Sequence, residues 1–198
     1  MPAAAGKVLT SKPSGLVSIL KLVIDFSKNY FALFDLEPAF QVDLPHLEQS
    51  YRALQAQVHP DKFSSAGDAE RRLSMQCSTH VNEAYQTLKQ PMNRARYLLS
   101  LHGVDTQEET NTAMPADFLM QQMEWREAIG EATEAADAAA LDHLASQLRQ
   151  ATKTLHEELG HQLDQQHNYT GAAGAVRKLR FFDKLREDIN EALEALET

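Results

Sequence analysis

His59-Pro60-Asp61 sets an imidazole and a carboxylate on either side of a proline, where one helical pattern stops and shortly before another begins. Proline has no backbone N–H and disfavours helical geometry at the residue before it, so His59 marks the end of the first helix. The imidazole and carboxylate then stand in solvent at the tip of a helical hairpin. They can donate, accept and carry charge there, an arrangement that suits a presentation site better than a catalytic pocket. This is chemistry for presentation to another protein. His156-Glu157-Glu158-Leu159-Gly160-His161 looks at first like a zinc-protease helix, but that chemistry needs histidines at i and i+4. Five residues turn a helix about 140° beyond one full turn, so these two imidazoles do not share a face. His143, His156, His161 and His167 are expected to be solvated helix residues. Cys77 is the single cysteine, which excludes an internal disulfide or a Cys-based metal cage within the chain. It falls on the apolar stripe of its helix as a small core residue. With no Walker loop, nucleophile elbow or acid/base pair, no enzymatic activity and no cofactor or metal is expected.

A second grouping is Phe118-Leu-Met-Gln-Gln-Met-Glu-Trp-Arg-Glu-Ala-Ile-Gly-Glu131. At about 100° per residue, Phe118, Trp125 and Ile129 form one stripe for a core. Leu119, Met120 and Met123 point about 100–200° away, and Glu124, Glu127 and Glu131 extend that second face. A bundle helix needs one apolar stripe. A second, Met-rich and edged by carboxylates, has the character of a surface for a partner. Phe181, off the main stripe of the last helix, extends the same patch.

Several elements position these groups. Leu44, Leu47, Tyr51, Leu54 and Val58 form one stripe of a helix capped by Asp43, with Pro45 in its first turn. Leu73, Cys77, Val81, Ala84, Tyr85 and Leu88 form the stripe of a second. Short helices flank this hairpin, one over Asn29 to Pro38 and one over Arg94–Leu101 closed by Gly103. After the polar stretch 104–113, Pro115 opens a helix to about Ala132 and Asp137 starts a long one carrying Leu141, Leu144, Leu148, Leu155, Leu159 and Leu163. Tyr169-Thr170-Gly171 reads as a turn before a last helix with Val176, Leu179, Phe182, Leu185, Ile189, Leu193 and Leu196. No strand-like alternation appears. The class is all-α: an antiparallel hairpin with two short helices, then a three-helix bundle.

Composition is ordinary for a globular chain, 43% hydrophobic and 24% charged, with a net charge of −9. The charge is uneven. Residues 1–34 hold four lysines and one aspartate, whereas residues 103–198 hold eight basic and nineteen acidic side chains. Phosphate neutralisation needs Lys/Arg-rich surface, so nucleic acid is not an expected partner. The run Arg177, Lys178, Arg180, Lys184, Arg186 is expected to answer acids on neighbouring helices. The apolar stretch Leu16–Phe26 is too short for a bilayer, which needs about 20 residues, so no membrane partner is expected. Residues 1–28 read as an extension, disordered or loosely docked.

The context of His59-Pro60-Asp61 resembles the J-domain family: a helix with Tyr51 before the tripeptide, Lys62-Phe63 after it, and a helix ending Asn82-Glu-Ala-Tyr-Gln-Thr-Leu88. That resemblance implies that His59, Pro60, Asp61, Lys62 and Arg52 contact a DnaK-type chaperone ATPase. J-domains usually carry a strongly basic helix before the tripeptide. Here it offers only Arg52 and the titratable His46, so weaker steering towards an acidic partner is expected. With Phe118–Glu131 and Ala175–Leu185, the chain is similar over about Asn29 to Leu196 to the HscB family of iron–sulfur cluster biogenesis. The resemblance implies a J-domain at 29–103, a linker at 104–113 and a C-terminal bundle at 114–198. It further implies that the bundle binds an IscU-type scaffold through Leu119, Met120, Met123, Glu124, Glu127, Glu131 and Phe181 and delivers it to an HscA-type chaperone. Met123 stands where the family often has Leu, a volume-conserving change. Eukaryotic members carry a Cys-rich zinc-binding segment ahead of the J-domain. Without it a bacterial, cytoplasmic protein is expected over one of the mitochondrial matrix, and nothing in the sequence demands more than a monomer.

Overall fold

The computed structural model describes residues 24–108 and 114–196, so residues 1–23 of the extension, 109–113 of the expected linker and the last two residues lie outside it. Among the described residues there are seven α-helices and no strand. They divide into two compact units.

The first unit holds α1 (Tyr30–Leu33), α2 (Leu44–Val58), one 3-10 turn (Pro60–Phe63) and α3 (Asp68–Lys89). Asn29 caps α1 by accepting the Ala32 N–H at 2.9 Å, and Asp43 caps α2 by accepting that of His46 at 3.0 Å. The hairpin of α2 and α3 closes on Phe31, Phe34, Leu47, Val58, Cys77, Val81 and Leu88, all without measurable exposure. Tyr51 and Tyr85 stack across it with centroids 4.0 Å apart. Leu44, expected on this stripe, is 47% exposed. It is the first residue of α2, so the stripe begins one turn later, at Leu47. Helix α1 is also shorter than the stretch to Pro38. Of the extension, Ile24 is buried, and the Phe26 ring lies 4.9 Å from that of His80 on α3.

The second unit holds the segment 39–42 with α4 (Pro91–Leu101), α5 (Ala116–Glu134), α6 (Ala138–Gly160), a wider π turn (His161–Gln165) and α7 (Tyr169–Leu196). The three long helices α5, α6 and α7 form the expected bundle. Helix α4 adds a fourth member by packing Ala95, Leu98 and Leu99 towards α7. Asp137 caps α6 through the Ala140 N–H at 2.9 Å. Tyr169–Gly171 is the first turn of α7, not a turn before it, because Asn168 accepts the Gly171 N–H at 3.0 Å and caps the helix. A Cβ on Gly171 would meet the Asn168 side chain at 2.5 Å, so a larger residue there would require the capping side chain to shift. The segment 39–42 crosses α6 at Gly160, where a Cβ would come within 3.2 Å of the Phe40 ring. Asp164 accepts both the Phe40 and Gln41 N–H groups, at 2.6 and 2.9 Å, and Arg94 Nε donates to the Phe40 carbonyl at 2.6 Å.

Candidate functional site

The tip of the hairpin is built from three anchors. The buried Ser74 hydroxyl on α3 donates to the Val58 carbonyl at 2.7 Å, fixing the end of α2. Phe63, 7% exposed, pins the far side of the 3-10 turn. Between them the Lys62 N–H donates to the His59 carbonyl at 3.0 Å. His59 closes the geometry with its own ring: the Asp61 N–H donates to Nδ1 at 3.3 Å, which leaves the proton of the neutral ring on Nε2, facing away from that bond. If the ring is protonated, Nδ1 instead faces an Asp61 carboxylate oxygen 3.5 Å away. The side chains of His59 and Asp61 are 53% and 90% exposed. The sequence therefore places them correctly at a presented tip. It missed Ser74, whose signal was a hydroxyl on the buried stripe, three residues before Cys77.

Lys62 is exposed beside the tripeptide. Arg52 is exposed on α2, but its guanidinium lies 2.5 Å from Glu48 one turn earlier. Such exposed pairs contribute little to stability. The pairing leaves α2 with even less free positive charge than its sequence suggests.

On α5 the two faces separate as the periodicity predicts. Phe118 and Ile129 are buried and Trp125 half-buried, while Leu119, Met120 and Met123 are 44%, 64% and 72% exposed. Glu124, Glu127 and Glu131 are exposed. Phe181 on α7 is half-buried, with its ring edge-on to Phe118 at 5.8 Å, so it does border the α5 helix. Two cations sit on these rings, one of them Lys178, which was expected to answer an acid. Arg126 lies over Phe181 at 5.3 Å, and Lys178 over Phe118 at 5.2 Å. The apolar patch therefore has carboxylates along α5 and a guanidinium at Phe181.

Other residues differ from expectation. The basic run of α7 pairs within its own helix, Lys184 with Glu187 and Asp188, and Arg186 with Asp183. Arg177 donates to the Thr106 carbonyl at 3.0 Å. At i+3 and i+4 the acids of the same helix are already within reach, so neighbouring helices are not needed. His156 is half-buried rather than solvated. Burial pushes its pKa down, Asp183 opposes this, and Arg94 adds to it. Cys77 is a free, buried thiol, pushed above its ordinary pKa by burial.

Comparison with known proteins decides the family. A relative from Cupriavidus taiwanensis described as a co-chaperone protein HscB homolog is 52% identical over 169 residues, 85% of this chain and 96% of its own length. The chain belongs to the HscB family of co-chaperones. Residues 114–190 match the family model described as the HSCB C-terminal oligomerisation domain. HscB from Vibrio cholerae superposes with a TM-score of 0.74 at 37% identity, over 85% of this chain and 99% of that one. Human HscB gives 0.79 at 34%, over 85% and 83%. The all-α class, a J-domain hairpin followed by a helical bundle, is thus that of HscB. Its bacterial relatives are named co-chaperones, which act with another chaperone and are not themselves enzymes. No helix among the described residues is long and apolar enough to cross a membrane.

Proposed function

We propose that this HscB-family chain binds an IscU-type iron–sulfur scaffold on its bundle and an HscA-type chaperone at its hairpin tip. In this reading it delivers the first to the second and stimulates the chaperone's ATPase. The observation that carries the scaffold assignment is the exposed row Leu119, Met120 and Met123 on a helix that already buries Phe118 and Ile129 elsewhere. Apolar area left uncovered at this extent favours a protein partner. Met adapts its shape to the surface it meets, and Glu124, Glu127 and Glu131 would select a partner with basic residues at the rim. At the tip, Pro60 and the Asp61–His59 bond limit the conformations lost on docking. Asp61 offers a carboxylate for a charge-assisted bond with a partner arginine, and His59, Lys62 and Arg52 supply the remaining polar contacts. In this reading the functional boundaries are a J-domain at 29–103, a linker at 104–113 and a scaffold-binding bundle at 114–198, in a monomeric cytoplasmic protein, although the segment 39–42 and α4 pack with the bundle unit.

The test is the ATPase rate of an HscA-type chaperone with this protein alone, with an IscU-type scaffold alone, and with both. Stimulation by the pair well beyond the two separate effects is expected. Stimulation by this protein that is indifferent to scaffold would overturn the scaffold assignment, and no stimulation in any mixture would overturn the chaperone assignment.

A further inference from the structure

Within the bundle unit, a cleft of about 410 Å³ opens between α4, α6 and the 39–42 segment. Its walls carry Arg94, Arg149, Lys153 and His156 and one carboxylate, Glu157, with Thr152 and Gln41 beside them. This convergence runs against the charge of the surrounding chain, where acids outnumber bases by more than two to one from residue 103 onward. Arg149 and Lys153 are one turn apart on α6, and His156 follows on the same face.

Arg94 supplies a fixed charge lining the cleft, with the Asp164 carboxylate acting on it from within the protein. Arg94 is 6% exposed and held by its Nε bond to the Phe40 carbonyl, and a guanidinium keeps its charge even though burial lowers its pKa. The three groups of α6 are poorly answered by the protein. Arg149 is exposed and forms no ion pair among the described residues. Lys153 reaches Glu157 only at 3.9 Å, with both side chains about two-thirds exposed, so that pair is weak. His156 Nε2 is buried without a hydrogen-bond partner, an uncompensated desolvation.

We propose that this cleft binds the terminal phosphate of a small phosphate monoester. Its size falls in the range of small-molecule sites, about 300–1,000 Å³. On α6 the Lys153 ammonium and the Thr152 hydroxyl are point donors beside the Arg149 fork, and together they suit a group with three terminal oxygens and two charges. A planar carboxylate is better served by a single bidentate fork. The site is distinct from both partner faces and does not depend on the function proposed for them.

The test uses the full-length chain, with glycerol phosphate as the probe and succinate as a control of equal charge. Calorimetry should show saturable binding of the phosphate ester that weakens as salt is raised, with succinate at least about tenfold weaker. The double variant Arg149→Gln/Lys153→Gln should weaken binding by about tenfold or more. Arg186→Gln, which lines a neighbouring hollow, should leave it unchanged. Bound phosphate should also raise the titration midpoint of the His156 ring observed by NMR, against the standing influence of Arg94, Arg149, Lys153, Glu157 and Asp183. Both exposed substitutions are checked for folding by thermal melting. Absence of saturable binding up to about 10 mM, equal binding of succinate, or equal loss in Arg186→Gln would overturn the proposal.

Discussion

His59 and Asp61 present polar groups held by short-range hydrogen bonds, whereas Leu119, Met120 and Met123 present apolar area held by nothing beyond the helix behind them. At the tip the geometry is set within the protein itself: Ser74 fixes Val58, Phe63 is buried, Pro60 restricts the backbone, and the His59 ring closes on Asp61. On α5 the shape is adjustable, and three exposed glutamates and the Arg126–Phe181 contact frame the methionines. A tip of this kind gains by losing little entropy on docking. A patch of this kind gains by removing apolar area from water. The two faces should therefore fail in different ways.

The largest effect is expected from Leu119→Ala, Met120→Ala and Phe181→Ala combined. Loss of the apolar anchors should weaken scaffold binding on the order of 100-fold, corresponding to about 3 kcal/mol. Calorimetry with the isolated scaffold checks this, and a loss below about threefold would mean that the patch is not the anchor. A smaller effect belongs to the tip. Pro60→Ala frees the backbone before docking at a cost of about 0.4–1 kcal/mol, so chaperone affinity should fall roughly two- to fivefold. An unchanged affinity would remove preorganisation from the account of the tip.

Smaller still is the effect of charge at the rim. Glu124→Gln with Glu127→Gln should slow scaffold association a few-fold at low salt, with the difference vanishing by about 0.5 M. Stopped-flow rates at two salt concentrations distinguish this steering effect from a weakened bound state, which would instead speed dissociation. The smallest effect is the pH dependence of the bundle unit, which holds both groups concerned. His156 in the bundle has its pKa lowered mainly by burial, so between that value and the ordinary imidazole range near 6.5 the unfolded chain binds more protons. Bundle stability should fall as pH drops through that window, and His156→Gln should flatten the slope in urea titrations. Glu108 acts in a separate, more acidic window. Burial works to raise its pKa, but the hydrogen bonds from Arg96 and Thr106 together with the charges of Arg96 and Arg180 outweigh it and leave the pKa lowered. Its contribution is present above the ordinary carboxylate range and lost below it.

The main helices were legible because their apolar residues recur at three and four. Leu47, Val58, Cys77, Val81 and Leu88, or Leu141, Leu148, Leu155 and Leu159, are buried where the period puts them. The second face of α5 was legible for the same reason, since one stripe is enough for a core. What stayed hidden depends on contacts distant in sequence or on termini. Leu44 has the right period, yet at the first position of α2 it stays exposed. Asn168 had to be seen capping α7 before Gly171 could be placed inside a helix. Asp164 holds the Phe40 and Gln41 amides across more than 120 residues, a link no local pattern announces. Helix α4 could be predicted as a helix, but its packing towards α7 rests on Ala95, Leu98 and Leu99 finding a partner about 80 residues on.

The most direct measurement of the two-face account pairs one variant of each face in the same two assays: scaffold affinity, and stimulation of the HscA-type ATPase by this protein without scaffold. His59→Gln should abolish the stimulation and leave scaffold affinity within about twofold. The Leu119/Met120/Phe181 triple alanine should lose scaffold affinity and retain the scaffold-independent stimulation. Loss of both functions in either variant, with the protein still folded, would contradict the separation of the two faces.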